Sequence, residues 1–301
     1  AQLCANDPSV LPQGPNEVFQ PDVPDSCRLE IAEALLENII VRRIRFELQH
    51  YNKLSADAMA KYLAQSKNLM AVELTLDSNY VMDRPRQQHF LTFFEAIGQS
   101  NSVQELSLIN LGLESASESF ETLLARTKTL RYLRVDLERQ APLEEAATAA
   151  IASGFSKNST LRDIKLIDWQ QTSLTPALTA LRDHPVLEKL QVEGFSSFTG
   201  LDALLRGKKS QLKELIIEKF SGAAFEEVAG FDSFMQEMGR NATILKMAIT
   251  GVLLSRDNNQ QLEAMLRRNT VLQDLTLTGG ALGTKGLASV LSRNTSIQVL
   301  D

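Results

Sequence analysis

The chain has 301 residues, 44% of them hydrophobic and 23% charged, which is too apolar for a disordered chain and ordinary for a globular one. Its net charge of −6 supplies no overall basic field, which argues against nucleic acid and against an anionic membrane surface as partners. The two cysteines, Cys4 and Cys27, cannot form a disulfide framework for the body; a bridge between them and two free thiols in a reducing cell both fit, the second being the plainer reading.

Pro8, Pro12, Pro15, Pro21 and Pro24 are five of the nine prolines. Proline removes backbone donors and pushes its predecessor toward extended conformations, so residues 1–27 read as a Pro-rich linker or extended lead-in. The opening AQLCANDPSV lacks an initiator Met and the basic and apolar regions of an intact signal peptide, so the chain is expected to begin inside a longer precursor. Ser26 opens a helical pattern, with Leu29, Ile31, Ala32, Leu35 and Leu36 near helical spacing. No run of about 18 apolar residues follows, as a membrane-spanning helix would need.

From residue 41 onward one phrase returns: apolar, two residues, apolar, one residue, apolar. It reads Val41-Ile44-Phe46, Leu69-Val72-Leu74, Val103-Leu106-Leu108, Leu130-Leu133-Val135 and Leu161-Ile164-Leu166. It goes on as Leu187-Leu190-Val192, Leu212-Leu215-Ile217, Ile244-Met247-Ile249 and Leu272-Leu275-Leu277, and begins again at Ile297-Leu300. The spacing averages about 28 residues, a period that belongs to solenoids and propellers. Alternation inside the phrase has the period of a strand with one buried face.

Between phrases the spacing turns helical. Ala58, Met59, Tyr62 and Leu63 follow Ser55; Phe120, Leu123 and Leu124 follow Ser115; Leu262, Met265 and Leu266 follow Asn259; Leu287, Val290 and Leu291 follow Thr284. The small polar residue ahead of each set is expected to cap the helix start. Each helix should end in a polar turn such as Lys157-Asn158-Ser159-Thr160, Arg268-Asn269-Thr270 or Arg293-Asn294-Thr295-Ser296, where Asn suits a left-handed conformation. Strand, turn, helix and return make one unit, and neither element can bury its apolar side without neighbouring units. The expectation is one α/β solenoid over 28–301 of about 9–10 repeats, with strands on the inner curve and helices outside. An array halting at Leu300 has no polar capping unit, so further chain is expected after it.

The last complete unit, RNTVLQDLTLTGGALGTKGLASVLSRNTSIQVLD over residues 268–301, resembles the ribonuclease-inhibitor-like class of leucine-rich repeats. The resemblance spans about 41–301 and implies a horseshoe with a concave parallel sheet and convex helices. It departs from that class where the class places Asn or Cys, eight residues after the first leucine. Those positions hold Gln49, Asp77, Leu111, Glu138, Trp169, Phe195, Phe220, Val252 and Gly280, and Trp169, Phe195 and Phe220 suggest an aromatic spine in the core instead. The inhibitor is cysteine-rich and this array is not, so ribonuclease inhibition is not implied.

Catalytic and metal motifs are not found. His50, His89 and His184 are not spaced with one another or with cysteine as metal ligands, and His184, ahead of Pro185, reads as a capping or exposed residue. Gly207-Lys208-Lys209-Ser210 and the stretch Gly279 to Gly286 both fail the phosphate-loop pattern and read as repeat turns. The sequons at Asn158, Asn241 and Asn294 fall where the repeat already selects Asn with Ser or Thr. No enzyme, cofactor or metal is expected.

Residues at offsets two, four and six from the first apolar member should leave the core and form a grid on the sheet face, with strands about 4.8 Å apart. Central units place there Glu105, Tyr132, Arg134, Asp136, Asp163, Lys165, Ile167, Lys189, Glu193, Glu214, Ile216 and Glu218, together with Ser107, Ile109 and Gln191. Tyr132, Ile167 and Ile216 amid charges have the composition of interface anchors. The expected function is a protein-binding scaffold, a cytoplasmic monomer within this stretch of chain, whose partner is another protein and neither nucleic acid nor membrane. The alternative is a regulator of a small GTPase of the activating type, because one such family shares this repeat class; Arg43 and Arg45 are too generic to carry it.

Overall fold

Every complete phrase becomes a five-residue strand, because its alternate side chains have one face to bury. The computed structural model describes residues 25–76, 84–137, 143–169, 173–194, 197–218, 229–251, 255–278 and 284–300. Parallel strands alternating with helices make the α/β repeat architecture that the phrases predict, and the chain divides into two compact units, Ala1–Leu161 and Arg162–Asp301, each built in this way.

The first unit runs α1 (Asp25–Glu37), β1 (Arg43–Glu47), α2 (Lys53–Gln65), β2 (Ala71–Thr75), α3 (Arg84–Gln99), β3 (Glu105–Ile109), α4 (Ser117–Arg126), β4 (Tyr132–Asp136) and α5 (Glu145–Lys157). β1 through β4 pair in chain order, parallel and in register: Ile44 faces Val72, Val72 faces Leu106, and Leu106 faces Leu133. Beneath the sheet Phe46, Tyr51 and Phe93 form a triangle of edge-on rings with centroids 5.1–5.8 Å apart.

The second unit runs β5 (Asp163–Ile167), α6 (Thr175–Leu181), β6 (Lys189–Glu193), α7 (Leu201–Leu205), β7 (Glu214–Glu218), α8 (Phe231–Met238), β8 (Lys246–Thr250), α9 (Arg256–Arg268), β9 (Asp274–Thr278), α10 (Thr284–Leu291) and β10 (Val299–Leu300). These strands too are parallel and in chain order. Ile164, Leu190, Leu215, Met247 and Leu275 are fully buried along one row, each contributing roughly 1.5–3 kcal/mol by leaving water. Phe198 packs on Phe231 and Phe234 at 5.1 and 5.2 Å.

Helix starts differ from the sequence expectation. Asn52 caps α2, and Ser55 is the third helical residue of a reciprocal capping box. Ser255 rather than Asn259 caps α9, accepting from the Asn258 N–H. A 3-10 turn at Leu113–Ala116 leads into α4, so Ser115 caps nothing. Gly230 precedes α8 at φ 82°, and a Cβ there would stand 2.6 Å from the Thr199 nitrogen, so successive helix starts meet backbone to backbone.

The polar turns hold the largest correction. Asn158 and Asn269 are extended, both with φ −76°, so left-handed tolerance is not why Asn is there. Asn269 accepts from the Val271 and Leu272 N–H groups at 2.9 and 2.7 Å and donates to the Met238 carbonyl of the previous repeat at 2.7 Å. Asn158 does the same with Thr160, Leu161 and the Leu124 carbonyl, and Asn294 with Ser296, Ile297 and the Leu266 carbonyl. Three residues before each phrase stand Asn38, Ser66, Ser100, Thr127, Asn158, His184, Lys209, Asn241, Asn269 and Asn294. The polar ladder missing at offset eight thus sits at the other end of the strand. His184 occupies one rung and is buried, not exposed.

Left-handed residues close the strands instead: Asn110, Asp168, Gly194 and Gly251, each at offset seven. Their N–H groups extend the pairing by one residue, Asp168 onto the Glu193 carbonyl and Gly194 onto that of Glu218. At offset eight Leu111 and Trp169 are buried, whereas Phe195 and Phe220 of the expected spine lie outside the described residues.

Candidate functional site

Strand periodicity puts three rows of side chains on the sheet face of the second unit. The first row is Asp163, Lys189, Glu214, Lys246 and Asp274, each directly opposite the next. The charge alternates at every step. Lys189 Nζ lies 3.5 Å from Glu214 Oε1, and Lys246 Nζ lies 3.7 Å from that same oxygen and 3.6 Å from Asp274 Oδ2. Opposite charges on facing strands support the register, though half-exposed pairs of this kind contribute only about 0–1 kcal/mol each. At the start of the row, burial raises the Asp163 carboxyl above its ordinary range; Lys189 and Lys165 pull against that and Glu214 adds to it.

The second row is Lys165, Gln191, Ile216, Ala248 and Thr276. From Ile216 onward it carries no charge. The third row is Ile167, Glu193, Glu218, Thr250 and Thr278. Lys165 pairs with Glu193 at 3.1 Å, and Gln191 Nε2 donates to Glu218 Oε2 at 2.6 Å. Among the described residues no cation stands beside Glu218.

The first unit's face is built on the same rule. Its rows are Arg43, Ala71, Glu105, Tyr132; Arg45, Glu73, Ser107, Arg134; and Glu47, Thr75, Ile109, Asp136. Arg43 bonds Glu105 across Ala71, Arg45 pairs with Glu73, and Arg134 Nη2 lies 2.8 Å from Asp136 Oδ2. Tyr132 is half-buried.

Nine of the twelve expected face residues are half-exposed: Glu105, Tyr132, Arg134, Asp163, Lys165, Lys189, Glu214, Ile216 and Glu218. The other three, all at offset six, are not open. Asp136, Ile167 and Glu193 are 4%, 6% and 9% exposed, so Ile167 has the surroundings of a core residue rather than of an anchor. Glu105 and Tyr132 lie in the first unit with Arg134, and the remaining six lie in the second. Reasoning from the central repeats alone misses Arg43, Glu73, Lys246 and Asp274. The same offset rule, applied to the outer strands, finds all four.

No protein-family model matches the chain, and no curated protein matches it significantly. The surface must be read from its own chemistry. Among the described residues no group of three His, Cys, Asp or Glu could hold a metal ion, and no helix is long and apolar enough to cross a membrane. What the sheet face of the second unit offers is a row of paired charges beside an uncharged strip.

Proposed function

We propose that the chain is a non-enzymatic recognition scaffold of the leucine-rich-repeat kind, and that it binds another protein through the sheet face of its second unit. The observation that carries this reading is the strip Ile216–Ala248–Thr276, which lies in register beside the charged row Glu214–Lys246–Asp274, with Glu218, Thr250 and Thr278 on its other side. A partner covering the strip desolvates Ile216, the aliphatic side chain in it, while Lys189, Glu214, Lys246 and Asp274 keep one another as partners at the margin. Glu218, with Gln191 as its hydrogen-bond partner, is left to meet a donor from the other protein.

A cytoplasmic location accords with this reading. The sequon residue Asn158 is buried, and its amide nitrogen is donated to the Leu124 carbonyl at 2.8 Å, so the folded chain does not present it for glycan attachment.

The test compares proteins captured by the intact chain, by the Ile216→Lys/Glu218→Lys variant, and by Glu118→Lys on the exposed side of α4. A partner lost from the first variant and retained by the second supports the reading. Partners held equally by both variants and the intact chain refute it.

A further inference from the structure

The last turns of α9 and α10 and the return turns that follow them line a half-open cavity of about 380 Å³, within the range of about 300–1,000 Å³ typical of small-ligand sites. We propose that this cavity binds a phosphate monoester. Among the described residues its lining contains two guanidinium groups, Arg267 and Arg293, and three hydroxyls, from Thr270, Ser289 and Thr295, and no carboxylate. In a chain of net charge −6 that is a local concentration of positive charge and donors. Planar guanidinium forks and hydroxyl donors match the oxygens of a phosphoryl group.

Cations at helix ends ordinarily serve the helix dipole and the unpaired carbonyls of the last turn. Here other groups already meet part of that need. Asn269 Nδ2 donates to the Met238 carbonyl at the end of α8, and Asn294 Nδ2 donates to the Leu266 carbonyl of α9 at 2.8 Å. The same two asparagines accept from the N–H groups of the turns that follow them, so the backbone walls of the cavity are held in place. Arg293 has no ion pair among the described residues. Arg267 pairs with Glu263 one helical turn back at 3.6 Å, but its guanidinium is largely exposed, so that pair is weak and readily exchanged for a ligand. Both guanidiniums can therefore turn to a ligand at little cost. The lining shares no residue with the sheet face, so this inference stands apart from the protein-binding reading.

The experiment titrates the full chain with O-phosphoserine, glycerol 3-phosphate and inorganic phosphate, with serine as the control that lacks a phosphate, at constant ionic strength. Saturable binding of a phosphate monoester is expected, with none for serine. Arg293→Ala and Arg267→Ala should each weaken it on the order of tenfold. Arg240→Ala, at a helix end outside the cavity, should leave it within about twofold, and thermal melts should show all three variants folded. Tighter binding of O-phosphoserine points to a phosphorylated protein as the source, and tighter binding of glycerol 3-phosphate to a small metabolite. No saturable binding up to about 10 mM overturns the proposal, as does an Arg240→Ala loss equal to that of Arg293→Ala, which would mean diffuse attraction.

Discussion

Arg43 reaches over Ala71, on the strand between them, to grip Glu105 with both nitrogens of its fork, Nη1 to Oε2 at 2.9 Å and Nη2 to Oε1 at 3.1 Å. The intervening residue has only a methyl group, and that makes the span open. A double-mutant cycle on Arg43→Ala and Glu105→Ala should return a coupling of about 0.5–1 kcal/mol, the upper part of the range for half-exposed pairs, because the contact is bidentate. The same cycle in an Ala71→Leu background should give a coupling near zero, since a larger side chain blocks the path. An unchanged coupling there would show that the guanidinium takes another route.

Gly207 lies in the turn after α7, and a Cβ added to it would stand 1.9 Å from the Arg182 carbonyl oxygen of the preceding repeat. That neighbour is backbone and cannot swing aside, so Gly207→Ala should destabilise the chain by about 1–3 kcal/mol in urea unfolding. Gly98, inside α3, is the contrast: its nearest neighbour would be 3.4 Å from the new Cβ, an ordinary contact. Gly98→Ala should stabilise by about 0.5–1 kcal/mol through helix propensity. If the two substitutions moved stability the same way, the close repeat-to-repeat approach at Gly207 would be wrong.

These examples mark how far the sequence could be read. Phrases such as Leu130-Leu133-Val135 placed every complete strand, because a strand period of two next to a helical period has one physical reading. The role of Asn269 was not legible: its partners, the Met238 carbonyl and the Leu272 N–H, come from different repeats and meet only once the repeats stack. Nor was the burial of Ile167, since alternation gives the face of a residue and not what covers it. The sheet-face candidates were read as a grid by offset, but their pairings, such as Lys246 shared between Glu214 and Asp274, depend on side-chain reach that spacing does not encode.

Asn269→Ala should cost about 2–4 kcal/mol, because it strands the Val271 and Leu272 N–H groups and the Met238 carbonyl in a buried turn. Asn269→Asp is the sharper probe. The carboxylate keeps both acceptor bonds but puts a negative charge, 2% exposed in the parent residue, against the Met238 carbonyl oxygen. At neutral pH it should destabilise at least as much as Ala, and part of the loss should return as the acid is protonated. Chemical denaturation at two pH values checks both statements.

Asp163 supplies the pH dependence. Burial is the largest influence on its carboxyl and raises its folded pKa above the unfolded one, despite the nearby Lys189 and Lys165. A carboxylate shifted upward binds its proton more tightly in the folded state, so its ionisation opposes folding. That cost is absent below the unfolded pKa, grows as pH rises toward the folded pKa, and is complete above it. Asp163→Asn retains the shape and removes the charge, so it should make the second unit more stable than the parent at pH 7. The advantage should shrink to nothing as pH falls below the ordinary carboxylate range. Denaturation midpoints from pH 3 to pH 7 read the difference directly. A variant less stable than the parent at pH 7 would mean that attraction to Lys189 outweighs desolvation, and would make the first-row charges a source of stability rather than a neutral margin for the surface.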